Sequence, residues 1–242
     1  MFELTELNDY NKYIRDNDTY YFNNHPVPRV TEIIHKMIHE DSIAQWANSL
    51  GFKHQGYTKT LNEAAMLGTS VHHSIEMFLK TGEFDNHIEP SYMINKFNNC
   101  ISAFKAWYDI INRNHKVRVL SQETPLVCEY YGGTYDLLIE IDGKKCLVDF
   151  KTTNKVSYKH FLQLSAYNRI LKEKGDDVRY FVILQLSKSE PLYTEYVIDL
   201  CVPEHIEYFD RCEKTFLSLL YAYYNIQYLQ KEFGTITKEV DY

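Results

Sequence analysis

The alternation of apolar and polar residues is clearest in the middle of the chain. Residues 134–141 and 144–151 are rich in β-branched and apolar side chains, and they flank Asp142-Gly143, a dipeptide that strongly favours a two-residue hairpin turn. Successive side chains of a strand point to opposite sides. The pattern therefore predicts a hairpin with one apolar face, which consists of Leu137, Ile139, Ile141, Cys146, Val148 and Phe150.

The opposite face of this hairpin carries charge. A two-residue turn places Asp136 across from Asp149, with Lys151 on the same face. Opposed carboxylates about 5 Å apart repel by roughly 3 kcal/mol at an effective dielectric constant near 20. A hard cation such as Mg²⁺ or Mn²⁺ would relieve that repulsion, and together with an ammonium group it suits phosphodiester hydrolysis. Two alternatives are a structural pair that shares a proton, and a shifted register that separates the acids.

Shorter elements are predicted near the N-terminus. Residues 19–22 resemble a strand, and residues 25–28, with two prolines, indicate a bend. Thr31 is a predicted N-cap for a helix over residues 32–39. A further helix is predicted over residues 42–50.

A long amphipathic helix is predicted over residues 61–80, opened by a capping-box pattern at Thr60 and Glu63. Its apolar stripe consists of Ala64, Gly68, Val71, Ile75 and Phe78. Glycine inside a helix costs about 1 kcal/mol relative to alanine, so Gly68 indicates that another group approaches closely. His72 lies at the edge of the stripe, where a histidine can also be an ordinary core residue. His73 is the competing candidate if the helix is rotated.

The remaining pattern completes an α/β order. The predicted elements are a helix over 92–112, strands over 117–122 and 124–131, the hairpin, a helix over 158–174, strands over 178–186 and 193–200, and a helix from Pro203 to about residue 233. Helices on both sides of a run of strands predict an α/β fold with a mixed central β-sheet flanked by helices.

Composition is ordinary for a soluble protein, with 45% hydrophobic and 24% charged residues among 242. We expect one domain, with an extension over 1–57, a core over 58–200 and a helix and tail over 201–242. The polar N-terminus and the absence of a long apolar run favour a cytoplasmic protein and no membrane partner. The five cysteines form no metal-binding spacing and indicate reduced, buried thiols.

The net charge of −7 argues mildly against nucleic acid as a partner. Its distribution changes the picture, because residues 144–174 contain eight Lys or Arg and only two acidic residues. A solvated helix face is the simpler explanation of this excess. The functional explanation is a basic surface for a nucleic acid beside the charged face of the hairpin.

Four motifs occur in order: Gly-Thr-Ser-Val-His at 68–72, Gly-Thr-Tyr-Asp at 133–136, Val-Asp-Phe-Lys-Thr at 148–152 and Gln-Leu-Ser-Ala-Tyr at 163–167. With them the chain resembles the RecB-like branch of the PD-(D/E)XK nuclease superfamily, and it is similar to the CRISPR-associated and mitochondrial genome-maintenance exonucleases of that branch. The resemblance covers roughly residues 60–190. It implies a restriction-endonuclease-like core with N-terminal helical additions and a long C-terminal helix.

The resemblance also implies roles for individual residues. His72, Asp136 and Asp149 would bind one or two Mg²⁺ or Mn²⁺ ions, and Phe150 would add its backbone carbonyl. Lys151 would orient the attacking water or stabilise charge on the phosphate.

Further residues would support this set. Gln163 and Tyr167, one helical turn apart, would position Lys151 or the substrate phosphate, unless they are ordinary helix-surface residues. Glu123 matches an acidic position of the family and is a candidate only for a place behind the ligands. Sequence-independent contacts with the DNA backbone would come from Lys155, Lys159 and Arg169.

The function implied is a metal-dependent deoxyribonuclease, expected to be an exonuclease that acts on single-stranded or duplex DNA ends in recombination, repair or replication. An endonuclease specific for structure or sequence, and a non-catalytic nucleic-acid-binding module, are the alternatives. Some relatives hold an iron–sulfur cluster on late cysteines, but only Cys201 and Cys212 lie late here, so no cluster is expected. Any helicase or recombination partner would be a separate protein, in the cytoplasm of a bacterial or phage-infected host cell.

Overall fold

The computed structural model describes residues 13–16, 19–39 and 56–236. The first described elements form a three-stranded antiparallel sheet of β1 (Tyr13–Asp16), β2 (Thr19–Phe22) and β3 (His25–Val27). The helix predicted over residues 42–50 lies outside the described residues.

The bend predicted at residues 25–28 is wrong in part, because Pro26 lies within β3 and pairs with Tyr21. A proline is tolerated there since β3 is an edge strand. Asn23 and Asn24, at φ 49° and 65°, form the preceding two-residue turn. The N-terminal additions are therefore not purely helical.

Three helical segments follow: α1 (Val30–Met37), α2 (Tyr57–Thr81) and α3 (Ile94–Asn114), the last preceded by a short 3₁₀ turn. The predicted N-cap at Thr31 is wrong, since Arg29 occupies that position. The predicted capping box is also wrong: α2 begins at Tyr57, and the Thr60 hydroxyl donates to the Gly56 carbonyl at 3.1 Å. The helix ends as predicted, with Gly82 left-handed at φ 82°.

A five-stranded sheet forms the centre of the fold. Its strands, neighbours in chain order, are β4 (Val117–Val127), β5 (Gly132–Ile141), β6 (Lys144–Lys151), β7 (Val178–Leu186) and β8 (Tyr193–Asp199). All neighbours are antiparallel except β6 and β7, which are parallel and joined by α4 (Tyr158–Glu173). Helix α5 (Pro203–Ile236) closes the fold. The predicted mixed sheet flanked by helices is confirmed, although the two strands predicted over 117–131 form the single strand β4.

Both faces of the sheet are covered. The predicted apolar face of the hairpin, including Leu137 and Val148, packs with α2 and α3. The face that carries the acids is buried as well, because Leu138 and Leu147 pack with α4 and α5. A hairpin in the middle of such a sheet has no freedom to tilt towards solvent. None of the described helices has the length and apolarity that crossing a bilayer requires.

The start of β5 requires glycine. A Cβ atom on Gly133 would lie 2.5 Å from Cε1 of Tyr167, whose ring lies directly on the strand. Gly68 differs, because a Cβ there would meet Thr152 Oγ1 at 3.5 Å, an ordinary contact. The close approach predicted at Gly68 is not formed; among the described glycines, close approaches occur at Gly133 and at Gly132, where a Cβ would lie 2.7 Å from Tyr20 Cβ.

Gly133 and Gly68 give opposite expectations for one substitution. Gly133→Ala should destabilise the protein by about 2 kcal/mol through overpacking against Tyr167. Gly68→Ala should stabilise it by up to about 1 kcal/mol through helix propensity. Urea unfolding of the two variants beside the wild type measures both effects. Equal destabilisation by both would contradict the packing described at Tyr167.

Candidate active site

The two acids of the hairpin lie where its hydrogen-bond ladder stops. Leu138 pairs with Leu147 as the turn predicted, and the last pair is Leu137 with Val148, one residue short of Asp136 and Asp149. Beyond it, the backbone N–H of Phe150 donates to Asp136 Oδ2 at 2.6 Å. A side-chain carboxylate thus replaces the next backbone partner, and the strands open at a point where both acids are buried.

His72 reaches this opening from α2. Its Nε2 lies 3.1 Å from the carbonyl oxygen of Phe150, and its Nδ1 lies 3.5 Å from Asp136 Oδ1. His73, the competing candidate, is half exposed and lies 3.3 Å from Asp85 Oδ2 instead. Of the two histidines, His72 is the one that the structure brings to the acids.

Glu123 joins the same group through an unusual backbone conformation. It has φ 43°, in the left-handed region that residues other than glycine rarely adopt. The pairing of β4 with β5 passes from Gln122–Leu137 to Thr124–Tyr135, without a pair at Glu123. Its Oε1 lies 3.8 Å from His72 Nδ1. The sequence motifs gave Glu123 only a place behind the ligands, and no sequence signal reveals its positive φ.

One donor atom each from His72, Glu123 and Asp136 forms a cluster within 4.8 Å. Burial alone would lower the pKa of His72, but the Asp136 carboxylate and hydrogen bonds to Asp136 and Glu123 raise it to about 10. Burial opposes the ionisation of Asp136, but His72 and Lys151 hold the pKa of that carboxyl below its usual value. An imidazolium therefore lies at a strongly negative point. This donor set, with the Phe150 carbonyl beside it, fits a hard divalent cation.

A second group of side chains lies beside this cluster. The Lys151 ammonium is 2.7 Å from Asp149 Oδ2 and donates to Gln163 Oε1 at 3.4 Å, and Gln163 Nε2 donates to the Tyr167 hydroxyl at 3.1 Å. Burial opposes the charge on Lys151, but Asp149 and Asp136 raise its pKa above the usual value. Lys151 is thus a fixed positive charge rather than a base. The predicted neighbours Gln163 and Tyr167 are buried and lie in this network.

The three basic residues predicted to contact DNA differ in their surroundings. Lys159 Nζ donates to the carbonyl of Ile38 at 3.0 Å, and Arg169 donates to Glu213 at 3.0 Å. These contacts hold α4 against neighbouring segments. Lys155 is exposed, beside a cavity of about 230 Å³ that Gln163 also lines.

Removing Lys151 should have a cost that depends on pH. Burial raises the pKa of Asp149 to about 6, against the opposing effect of Lys151. Because the folded-state pKa lies above the usual value, ionisation of Asp149 costs stability as the pH rises through 6. Without Lys151 that pKa rises further, so Lys151→Met should destabilise the metal-free protein by about 3 kcal/mol at high pH and by less at low pH.

Urea unfolding in a chelator at about pH 5 and pH 8 measures this difference on either side of the raised pKa of Asp149. Lys145→Met is the matched control on the same strand, since Lys145 pairs with the partly exposed Asp176. Its cost should stay below about 1 kcal/mol at both pH values. An equal loss for Lys151→Met at both pH values would contradict the described pairing with Asp149.

A divalent ion should stabilise the folded chain through the cluster. We expect Mn²⁺ to raise the melting temperature of the wild type, by the equivalent of about 2.7 kcal/mol at a hundred times its dissociation constant. His72→Ala and Glu123→Gln should reduce that shift, whereas His73→Ala should retain it. Thermal unfolding with and without Mn²⁺ measures the shift. If His73→Ala abolishes the Mn²⁺-induced shift in melting temperature and His72→Ala retains it, the ion binds at another place.

Comparisons with known proteins do not identify the function of this site, so its assignment depends on the side chains described above. No family model matches the chain, and no curated protein does. Among solved structures the chain is similar to an alkaline exonuclease (LHK-Exo) from Laribacter hongkongensis, with 14% identity and a TM-score of 0.33 over 69% of this chain and 84% of that one. It is also similar to SSO0001, with 14% identity and a TM-score of 0.28 over 63% and 74%. At such scores a likeness carries no argument about activity.

Proposed function

We propose that this chain is a deoxyribonuclease that requires Mg²⁺ or Mn²⁺ and hydrolyses phosphodiester bonds. The observation that supports it is the cluster of His72, Glu123 and Asp136 donor atoms beside the partly buried Lys151 ammonium. Phosphoryl transfer depends on positive charge placed around the phosphate oxygens. The site combines a place for a divalent ion with one fixed cation.

In this proposal His72 and Asp136 hold the ion, with Asp149, Glu123 and the Phe150 carbonyl as the further oxygen ligands. One or two ions are compatible with this number of donors. A bound ion would supply Lewis-acid polarisation of the phosphate and a lowered pKa for a coordinated water. The left-handed backbone at Glu123 is then a strain that places a ligand.

The protein's own side chains would fix the geometry of attack. Lys151, held between Asp149 and Gln163, would present its ammonium to a phosphate oxygen and align the attacking water. In-line attack would form a new P–O bond and break the P–O3′ bond. The 3′ oxygen would leave as a hydroxyl after gaining a proton, and the phosphate would stay on O5′ of the downstream nucleotide as a 5′-phosphate. The direction of this cleavage follows from the resemblance to the nuclease family.

The expected substrate is a DNA end, because the RecB-like branch that the motifs resemble is mostly exonucleolytic. A cavity of about 440 Å³ lies against His72 and Glu123, so a strand has access to the cluster. An endonuclease would use the same chemistry and differ only in what it accepts. Recombination, repair or replication is the setting that end processing implies.

Digestion of end-labelled linear DNA, single- and double-stranded, beside a closed circle tests the proposal. The wild type should degrade linear DNA with Mg²⁺ or Mn²⁺, remain inactive in chelator and leave the circle intact. Asp149→Ala and Lys151→Ala should each lower the rate by at least about 10²-fold, since each removes a charge that the transition state requires.

Lys145→Ala, on the same strand but directed to Asp176, is the control and should retain activity. Cleavage of the circle would favour the endonuclease. If the Asp149 or Lys151 variant cleaves DNA at the wild-type rate, with its fold verified by circular dichroism, the site assignment is wrong.

A further inference from the structure

A larger cavity, of about 710 Å³, lies next to the candidate active site. Its wall includes Thr153 and Asn154, the second and third residues after Lys151, and Gln185 of β7. Gln185 pairs with Lys151 in the parallel ladder and donates to the Thr153 carbonyl at 2.8 Å. The segment that carries the Lys151 ammonium thus separates the cavity from the metal-ligand cluster.

Helix α2 gives the distance between the two places. Ala64 lines the cavity and His72 belongs to the cluster. Eight residues of α-helix span about 12 Å. In a duplex, each strand carries a phosphate about every 3.4 Å along the axis. A separation of about 12 Å corresponds to three to four phosphates of a strand in duplex geometry, and to fewer phosphates of an extended single strand.

Two lysines face this cavity without an acidic partner. Lys96 of α3 and Lys188, just after β7, both line it, and neither makes an ion pair within the parts of the chain that the structure describes. Burial lowers the pKa of Lys188, and the nearby Lys96 lowers it further. Two cations that repel each other at one cavity favour an anionic ligand there.

The remaining lining agrees with a phosphate backbone rather than a base. Hydroxyl groups come from Thr60, Ser187 and Ser189, and among the described lining residues none is aromatic, so none of them offers a surface for base stacking. Glu63 is the one acid among those lining residues. Its carboxylate accepts a hydrogen bond from the Tyr92 hydroxyl and lies 3.9 Å from Lys59, which limits its repulsion of an anion.

We infer that this cavity, with Lys96 and Lys188 as its cations, binds backbone phosphates of the substrate strand about 12 Å from the scissile phosphate, the rise of α2 between Ala64 and His72. The inference rests on the proposed nuclease function, which it deepens by adding a subsite beyond the cleavage point. Binding there is independent of sequence and sensitive to salt. The subsite holds a strand in place while Lys151 and the ligand cluster act on its end.

Binding of fluorescent single strands tests the subsite, with Ca²⁺ in place of Mg²⁺ to suppress cleavage. For a strand of about 12 nucleotides, Lys96→Gln/Lys188→Gln should reduce the slope of log K against log salt by about 1.4, because each lost phosphate contact of a single strand removes about 0.7. Affinity for that strand should fall at least tenfold, whereas binding of a dinucleotide, whose one internal phosphate cannot occupy both the cluster and the cavity, should not change.

Lys105→Gln/Lys214→Gln is the matched control with the same change of charge. Lys105 lies nine residues after Lys96 on α3 and so on the opposite side of that helix. Both control lysines are exposed and pair with neighbouring acids. This variant should bind both strands with the wild-type salt slope.

Three outcomes separate the subsite from the nuclease proposal. If the wild type cleaves DNA and the Lys96→Gln/Lys188→Gln variant binds long strands as tightly as the wild type, the subsite alone is overturned. An equal loss of affinity in the control variant also overturns the subsite alone. If the double variant loses affinity and salt slope as expected but the wild type cleaves no DNA, the subsite is supported and the nuclease proposal is overturned. A wild type that binds neither strand overturns both.

Discussion

The balance of charge at the open end of the β5–β6 hairpin is the constraint on which the site depends. Glu123, Asp136 and Asp149 bring three carboxylates together, and Lys151 supplies one positive charge. With an imidazolium at His72 the group retains one negative charge. A divalent ion with a neutral imidazole would leave none. The raised pKa of His72 reports the same imbalance, because a proton is held where a stronger cation fits.

The surrounding layers prevent the carboxylates from moving apart. Strands β5 and β6 lie in the middle of the sheet with both faces packed, so the acids cannot turn to solvent without breaking a core. Helix α2 fixes His72 on one side, and α4 fixes Gln163 and Tyr167 on the other. The Tyr167 ring packs directly on Gly133, which has no side chain to displace it. This packing fixes the Tyr167 hydroxyl, which accepts a hydrogen bond from Gln163, the neighbour of Lys151.

The sequence was most informative where local chemistry and tertiary structure agree. Asp142-Gly143 alone determined the register of the hairpin, because a two-residue turn leaves no choice of partners, and the mixed sheet flanked by helices followed from the order of apolar runs. The N-cap at Thr31 and the capping box at Thr60 failed because each helix starts earlier than its polar signal. Pro26 was assigned to a bend because its place on an edge strand depends on a partner that the pattern does not show.

The site was predictable only as far as motifs reach. The closeness of His72 to Asp136 followed from the motif resemblance, since nothing in helix periodicity connects a residue of α2 to one of β5. The motif resemblance placed Glu123 only behind the ligands, and its position beside His72 depends on one left-handed residue within a strand, which no sequence pattern reveals. Basic composition also does not show that Lys159 and Arg169 make contacts within the fold, and their expected contacts with DNA stay a prediction.

A chain with a net charge of −7 can still accept a polyanion if its acids and cations are separated along the path of a strand. Here the acids gather at the cluster, and Lys96 and Lys188 lie at the neighbouring cavity, whose α2 residue Ala64 is about 12 Å from His72 along the helix. Without a metal ion the acidic end repels the phosphate that the basic end attracts. In the proposed function, a divalent cation in the cluster would remove that opposition, so metal binding and strand binding would favour each other. Cleavage would then be confined to complexes in which both ends of the path are occupied, a selectivity that follows from placement of charge and needs no contact with a base.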